Sequence, residues 1–306
     1  MRQVLSPKEL AEAIGVSESS LKRWADEGLL RASRTAGGHR RIPLAEAIRF
    51  VRDTRATLVR PEILDLPDVE AVAGDLPALQ DAADRLFELL RDGHDRAARG
   101  LVMSLYLGGE TTAWICDGPV REAMSRIGEL WLHDPQGVYL EHRATDICIQ
   151  ALNRLRLTFP EEPGAPVAIG GAPPGDPYVL PSLIAATVLA AEGFRSVNLG
   201  PDTPAEALAQ AVRDQNARLA WLTISNIGDP DATAGDVSKL AGQLADIGLS
   251  LVIGGRVVDE LKLPRHGNLH VGRSMSELAA FAKGLTLAPQ PDVVQRSRQH
   301  GAPSSN

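Results

Sequence analysis

Between residues 1 and 60 the apolar positions recur at helical spacing in short runs. Leu10, Ala13 and Ile14 share one face, and Leu44, Ala47, Ile48 and Val51 share another. Ser6-Pro7-Lys8-Glu9 predicts the first helix start, with Ser6 as cap, Pro7 at the first helical position and Glu9 closing a capping box. Gly15-Val16-Ser17 predicts a tight turn in which Ser17 caps a second helix through about Glu27. The two together form a helix-turn-helix. After Gly28-Leu29-Leu30, the run Thr35-Ala36-Gly37-Gly38-His39-Arg40-Arg41 sets a Gly-Gly pair among basic residues, which predicts a β-hairpin wing within residues 32–42. A third helix is expected from about Leu44 to Arg55.

Pro61, Pro67 and Pro77 break the periodicity and read as a linker. Beyond it the pattern is helical at 76–92, 94–107, 111–132 and 140–159, which suits a four-helix bundle. A second linker covers Phe159-Pro160-Glu161-Glu162-Pro163-Gly164. Short apolar runs at 167–170, 196–199, 219–225, 249–254 and 269–271 then alternate with helix-length segments, the pattern of an α/β doubly wound parallel sheet of Rossmann-like type. The expected fold is multidomain: a winged helix-turn-helix at 1–60, a bundle at 76–160, a sheet domain at 164–287 and a disordered polar tail at 288–306.

Composition narrows the function classes. With 44% hydrophobic and 23% charged residues the chain reads as globular, and its apolar runs fall short of the ~20 residues that span a bilayer. The N-terminus has no secretory pattern, so a cytoplasmic address and no membrane partner are expected. Cys116 and Cys148 lie in helical patterns without CxxC spacing, which points to core thiols and to no metal site. Net charge is −7, yet residues 1–60 hold 12 Lys/Arg against 7 Asp/Glu, a balance of +5 that leaves −12 on the rest. A basic head on an acidic body suits a partner such as DNA.

The segment Val4 to Arg52 resembles the MerR-type winged helix, through Ser6-Pro7-Lys8-Glu9-Leu10-Ala11, Leu21-Lys22-Arg23-Trp24 and Gly37-Gly38-His39-Arg40-Arg41. In that geometry the second helix enters the major groove of double-stranded operator DNA with Ser19, Ser20, Lys22 and Arg23. The wing sets His39, Arg40 and Arg41 beside phosphates or the minor groove. Trp24 is expected in the head's core.

The body, up to about residue 287, resembles the cobalamin-binding module of B12-dependent photoreceptor regulators, MerR-type repressors with the same domain order. Trp131 with Glu141-His142 nine residues on matches the Trp-x9-Glu-His pattern that covers the upper face of adenosylcobalamin in that family. Ile253-Gly254-Gly255-Arg256 resembles the turn beside the cofactor's nucleotide tail, and Thr223-Ile224-Ser225 resembles the Ser/Thr motif of the same tail pocket. The family's Asp-x-His-x-x-Gly motif, whose His ligates cobalt, reads here Asp176-Pro177-Tyr178-Val179-Leu180-Pro181. Asp176 is in register, Tyr178 replaces the His and Pro181 replaces the Gly. A neutral phenol is a poor substitute for imidazole as a cobalt ligand. Above the corrin, photoreceptor members often carry a His directly after the Trp, whereas this chain has Leu132 and then His133.

These readings lead to a non-enzymatic MerR-type regulator whose body derives from a cobalamin module without His-ligated cobalt and answers to another small molecule or a protein partner. Three alternatives stand beside it. The body retains adenosylcobalamin without the lower His, through Trp131, Glu141, His142 and the Gly254-Gly255 turn; or it holds a bilin in the vacated cleft. The third, a corrinoid protein in methyl transfer, needs the missing His and gains nothing from the head. One helix and one wing read only a half-site, so a homo-oligomer, dimer or tetramer, is expected.

Overall fold

The computed structural model describes residues 4–72, 81–131, 137–160 and 162–287, without the side chains of Trp131 and Leu287. The expected disordered tail at 288–306 and the residues Leu132 and His133 lie outside the described residues.

The head begins with β1 (Val4–Leu5), a strand too short for periodicity to announce, followed by α1 (Pro7–Ile14) and α2 (Glu18–Asp26). Ser6 Oγ accepts from the Glu9 amide at 3.3 Å while the Glu9 carboxylate accepts from the Ser6 amide at 2.8 Å, a reciprocal capping box. Gly15, at φ 68°, ends α1, and Ser17 Oγ accepts from the Ser20 amide at the start of α2. Strands β2 (Ser33–Arg34) and β3 (Arg40–Pro43) pair antiparallel around the Gly37-Gly38 turn, and β1 adds to the other side of β3. Helix α3 (Leu44–Thr54) follows, and Trp24 packs on Phe50 with ring centroids 5.4 Å apart.

Of the stretch expected as a linker, residues 61–72 are folded, while Pro77 lies outside the described residues. The folded part forms two 3-10 turns, Pro61–Leu64 and Pro67–Val72, with Pro61, Leu64, Leu66 and Val72 buried. Proline suits such turns because its φ is preset and its missing N–H is not needed there. Asp68 receives Arg96 and Arg99 at 3.3 and 2.8 Å, and its carbonyl lies so near the helix that holds them that a Cβ on Gly100 would stand 2.1 Å from it.

Four helical stretches come next: α4 (Ala82–Asp92), α5 (Asp95–Leu107), α6 with α7 (Thr112–Ile115 and Arg121–Trp131), and α8 (Gly137–Arg156). The sequence predicts one uninterrupted helix over 111–132; a π-helical turn, Cys116–Val120, divides it. Pro119 has no amide to donate and crowds the preceding turn, and widening the helix locally accommodates it. Helix α8 starts three residues earlier than its pattern suggests, and Glu141 and His142 stand inside it.

The last region is a five-stranded parallel sheet in the order β5-β4-β6-β7-β8, made of β4 (Val167–Gly171), β5 (Arg195–Asn198), β6 (Leu219–Thr223), β7 (Ser250–Gly254) and β8 (Leu269–Val271). Helices α9 (Val179–Ala191), α10 (Ala205–Asp214), α11 (Pro230–Ala245) and α12 (Met275–Leu287) cover it. Strand β6 is buried throughout, as both-face coverage demands. The order reverses between β4 and β6, and ligands of such sheets bind outside the strand carboxyl ends at this switch point. One apolar cluster runs from the head through α4–α8 to α9, so head and helical layer share a core. Among the described residues no helix is long and apolar enough to cross a membrane.

Candidate functional site

The head presents a concave surface of about 600 Å³ between the start of α1, helix α2 and the β2–β3 hairpin. Lys22, His39, Arg40 and Arg41 converge there, as do Lys8 and Arg34, which sequence reading did not single out. Arg34 had a signal in the pleat: it sits directly across the hairpin from Arg40, and like charges so placed repel unless an anion or acid offsets them. Arg40 finds that acid. Its guanidinium pairs with Asp26 and donates to the Lys22 carbonyl at 2.8 Å, tying the hairpin to α2. Arg34 and Arg41 have no acidic partner among the described residues and remain exposed. Lys22 pairs with Glu18 at 2.9 Å, and Arg23 lies 3.9 Å from Glu27, both on the helix surface. Ser19 and Ser20 bond Ser17 Oγ at 2.8 and 2.9 Å; with Arg23, they stand on α2 outside this concavity.

A second cleft, of about 520 Å³, opens between the α6–α7 segment and the carboxyl ends of the strands. Its floor at the switch point is fixed by Asp176, which is fully buried. One carboxylate oxygen accepts from the Ser225 and Asn226 amides at 2.5 and 3.2 Å, and the other accepts from the Tyr178 amide at 3.1 Å. Asp176 thus locks the loop after β4 to the loop after β6, its lone pairs turned to backbone. Tyr178, at the cap of α9, is 40% exposed and lines the cleft, with the Arg256 guanidinium 5.4 Å from its ring centroid. Arg256 is itself held by the Ser225 carbonyl at 2.9 Å. Pro181 lines the same wall.

The Gly-Gly turn is needed by the fold itself. A Cβ on Gly254 would stand 2.6 Å from the Gly272 carbonyl oxygen, and one on Gly255, at φ 121°, would stand 2.3 Å from that of Ile224. Thr223 is buried and donates to the Gly171 carbonyl at 3.4 Å. Beside it, between the sheet, α9 and α12, only about 20 Å³ is open, lined by Trp221, Thr223 and Gly254 among others. Trp221 is 1% exposed and packs with Ala185, Leu189 and Leu278.

The π-helical turn sets Asp117 against the sheet region. Its carboxylate accepts from the Met275 and Ser276 amides at 2.8 and 2.9 Å and from Ser276 Oγ at 2.9 Å, capping α12 across the cleft. Arg121, one turn on, and Arg273, after β8, also line the cleft. Neither was legible as a site residue, because 121, 256 and 273 meet only through the fold. Glu141 and His142 do not line the cleft: Glu141 accepts from Thr145 Oγ1 at 3.2 Å, and His142 is exposed, 3.5 Å from Glu141. The side chain of Trp131 lies outside the described residues. Cys116 and Cys148 are buried, and burial pushes both thiols up, Cys148 to about 12. Among the described residues no three His, Cys, Asp or Glu side chains group to hold a metal.

Residues 6–42 match the MerR family regulatory protein family. A relative, the HTH-type transcriptional repressor CarA of Myxococcus xanthus, is 27% identical over 209 residues, spanning 67% of this chain and 70% of that one. Among solved structures, the monomethylamine corrinoid protein of Methanosarcina barkeri is similar with a TM-score of 0.50 at 17% identity, covering 68% of this chain and 100% of that one, a likeness of fold. The chain thus carries a segment, residues 6–42, that matches the MerR family, followed by a body similar in fold to a corrinoid protein.

Proposed function

We propose that this regulator reads operator DNA as a homodimer or tetramer, with α2 in the major groove and the β2–β3 hairpin as a wing, and that its body senses something other than His-ligated adenosylcobalamin. On this reading residues 1–60 are the reader, α4 to α8 a four-helix bundle within 76–160, and 164–287 a Rossmann-like sensor domain. A cytoplasmic address and a non-enzymatic role go with it. Ser19, Ser20, Lys22 and Arg23 are the groove-facing set, with His39, Arg40, Arg41 and Arg34 on the flanking phosphates.

The observation that carries the claim about the body is Trp221. In the resemblance to cobalamin modules, Thr223, Ser225 and the Gly254-Gly255 turn border a slot for the nucleotide tail. Here the buried Trp221 indole lies beside Thr223 and Gly254, and about 20 Å³ is left, room for about one water. Tyr178 stands where the lower cobalt ligand would be, and Asp176 has its oxygens committed to three backbone amides. The residues present do not fit a base-off, His-ligated cobalamin.

The test is a titration of the full chain with adenosylcobalamin in darkness, followed by absorption and by gel filtration before and after green light. The expected result is no shifted corrin band and no light-dependent change in size. Stoichiometric binding with a size change on illumination would overturn this reading of the body.

A further inference from the structure

We propose that the cleft between the α6–α7 segment and the strand ends is a ligand site for an apolar molecule that carries a carboxylate, held wholly inside the cleft without a tail beneath the sheet. This rests on reading the body as the sensor of a regulator. The first support is charge. Residues 61 to 306 carry a balance of −12, yet this cleft is lined by Arg121, Arg256 and Arg273 against a single acid, Asp117. Asp117 is already engaged by the α12 amides and Ser276. Arg121 has no hydrogen-bond or acidic partner among the described residues. Arg273 pairs with Asp259 at 2.8 Å, but both side chains are mostly exposed, so that pair is weak and exchangeable.

Pre-organisation is the second support. The Ser225 carbonyl and the Tyr178 ring hold the Arg256 guanidinium at the rim, so its remaining donors are presented with little ordering cost. A guanidinium fork matches a carboxylate through two parallel hydrogen bonds. The third support is the wall between the cations, where Met124, Leu180, Pro181, Ile184 and Met275 offer apolar surface. A volume of about 520 Å³ lies in the usual range for a small-molecule site. Trp221 closes the way deeper under the strands, so the ligand is confined to the cleft.

Calorimetric titration of the full chain with biliverdin and with oleate tests this, since both are apolar carboxylates of different shape. Biliverdin dimethyl ester is the neutral comparator. One of the two acids should bind one per chain with Kd below about 100 µM. Arg121→Ala with Arg256→Ala should weaken it at least tenfold, as should the ester form where biliverdin is the ligand. Ile184→Trp, which fills the cleft from its apolar wall, should abolish binding while circular dichroism shows an intact fold. Binding by neither acid, or equal affinity in the arginine variant, would overturn the proposal. DNA binding measured on the same preparations separates the two levels: retained DNA binding with no acid bound defeats only the ligand site, whereas lost DNA binding defeats the regulator reading beneath it.

Discussion

Trp221 and Gly170 are neighbours across the parallel β4–β6 ladder, and a Cβ built on Gly170 would lie 2.2 Å from Cδ2 of the Trp221 indole and 2.2 Å from its carbonyl oxygen. The large residue exists because its partner has no side chain. Trp221 also lines the small space beside Thr223 and Gly254.

Gly170→Ala should therefore destabilise the chain by at least about 2 kcal/mol, because indole and backbone must both move. Trp221→Phe should cost less, about 1–2 kcal/mol: its buried Nε1 has no hydrogen-bond partner among the described residues, so the change removes packing but no bond. Urea unfolding midpoints rank the two, and a Gly170→Ala chain as stable as wild type would contradict the packing account.

Much of the head was legible in the sequence, since its signals are local. Ser6 and Glu9 are three residues apart, and Gly37-Gly38 sits between the strands it joins. The doubly wound sheet was legible for the same reason, each strand being a short apolar run. What escaped notice depends on distance. Pro119 lies inside the helix expected over 111–132, and the π-helical turn found there is tied through Asp117 to Met275 and Ser276, over 150 residues away. The folded proline stretch depends on Gly100 admitting the Asp68 carbonyl. Likewise the three arginines of the cleft have no common spacing.

Arg40 and Arg41 are adjacent and should fail differently. Arg41 is exposed and without an acidic partner among the described residues, so Arg41→Ala should lower the slope of log affinity against log salt by about 1 and leave melting unchanged. The Arg40 side chain is 16% exposed and ties β3 to α2, so Arg40→Ala should also lower the melting temperature, by about 1–3 °C. Fluorescence anisotropy across a salt series, paired with thermal melts, separates the two; identical behaviour would contradict the assigned roles.

Glu46 should make the head acid-sensitive. Burial alone would raise its pKa, but hydrogen bonds from Arg49 and from the Arg31 amide outweigh that and hold it below the ordinary 4.5. A depressed native pKa contributes stability that is fully present above the unfolded value and lost as pH falls through the folded one. Wild type should lose stability relative to Glu46→Gln as pH drops below about 4.5, whereas the gap between them should stay flat from pH 6 to 7. Urea midpoints across pH check this, and parallel pH profiles for the two chains would contradict it.

The most direct test of the regulator reading is selection of double-stranded DNA from a random pool by the full chain, with the winning sequence measured against bulk DNA at one fixed salt. A MerR-type reader should enrich two related half-sites and bind them at least about 1000-fold more tightly than bulk DNA, with that preference relaxed when Lys22 and Arg23 are both changed to Ala. A pool that shows no enriched sequence after selection, or a selected site bound no better than bulk DNA, would contradict the account.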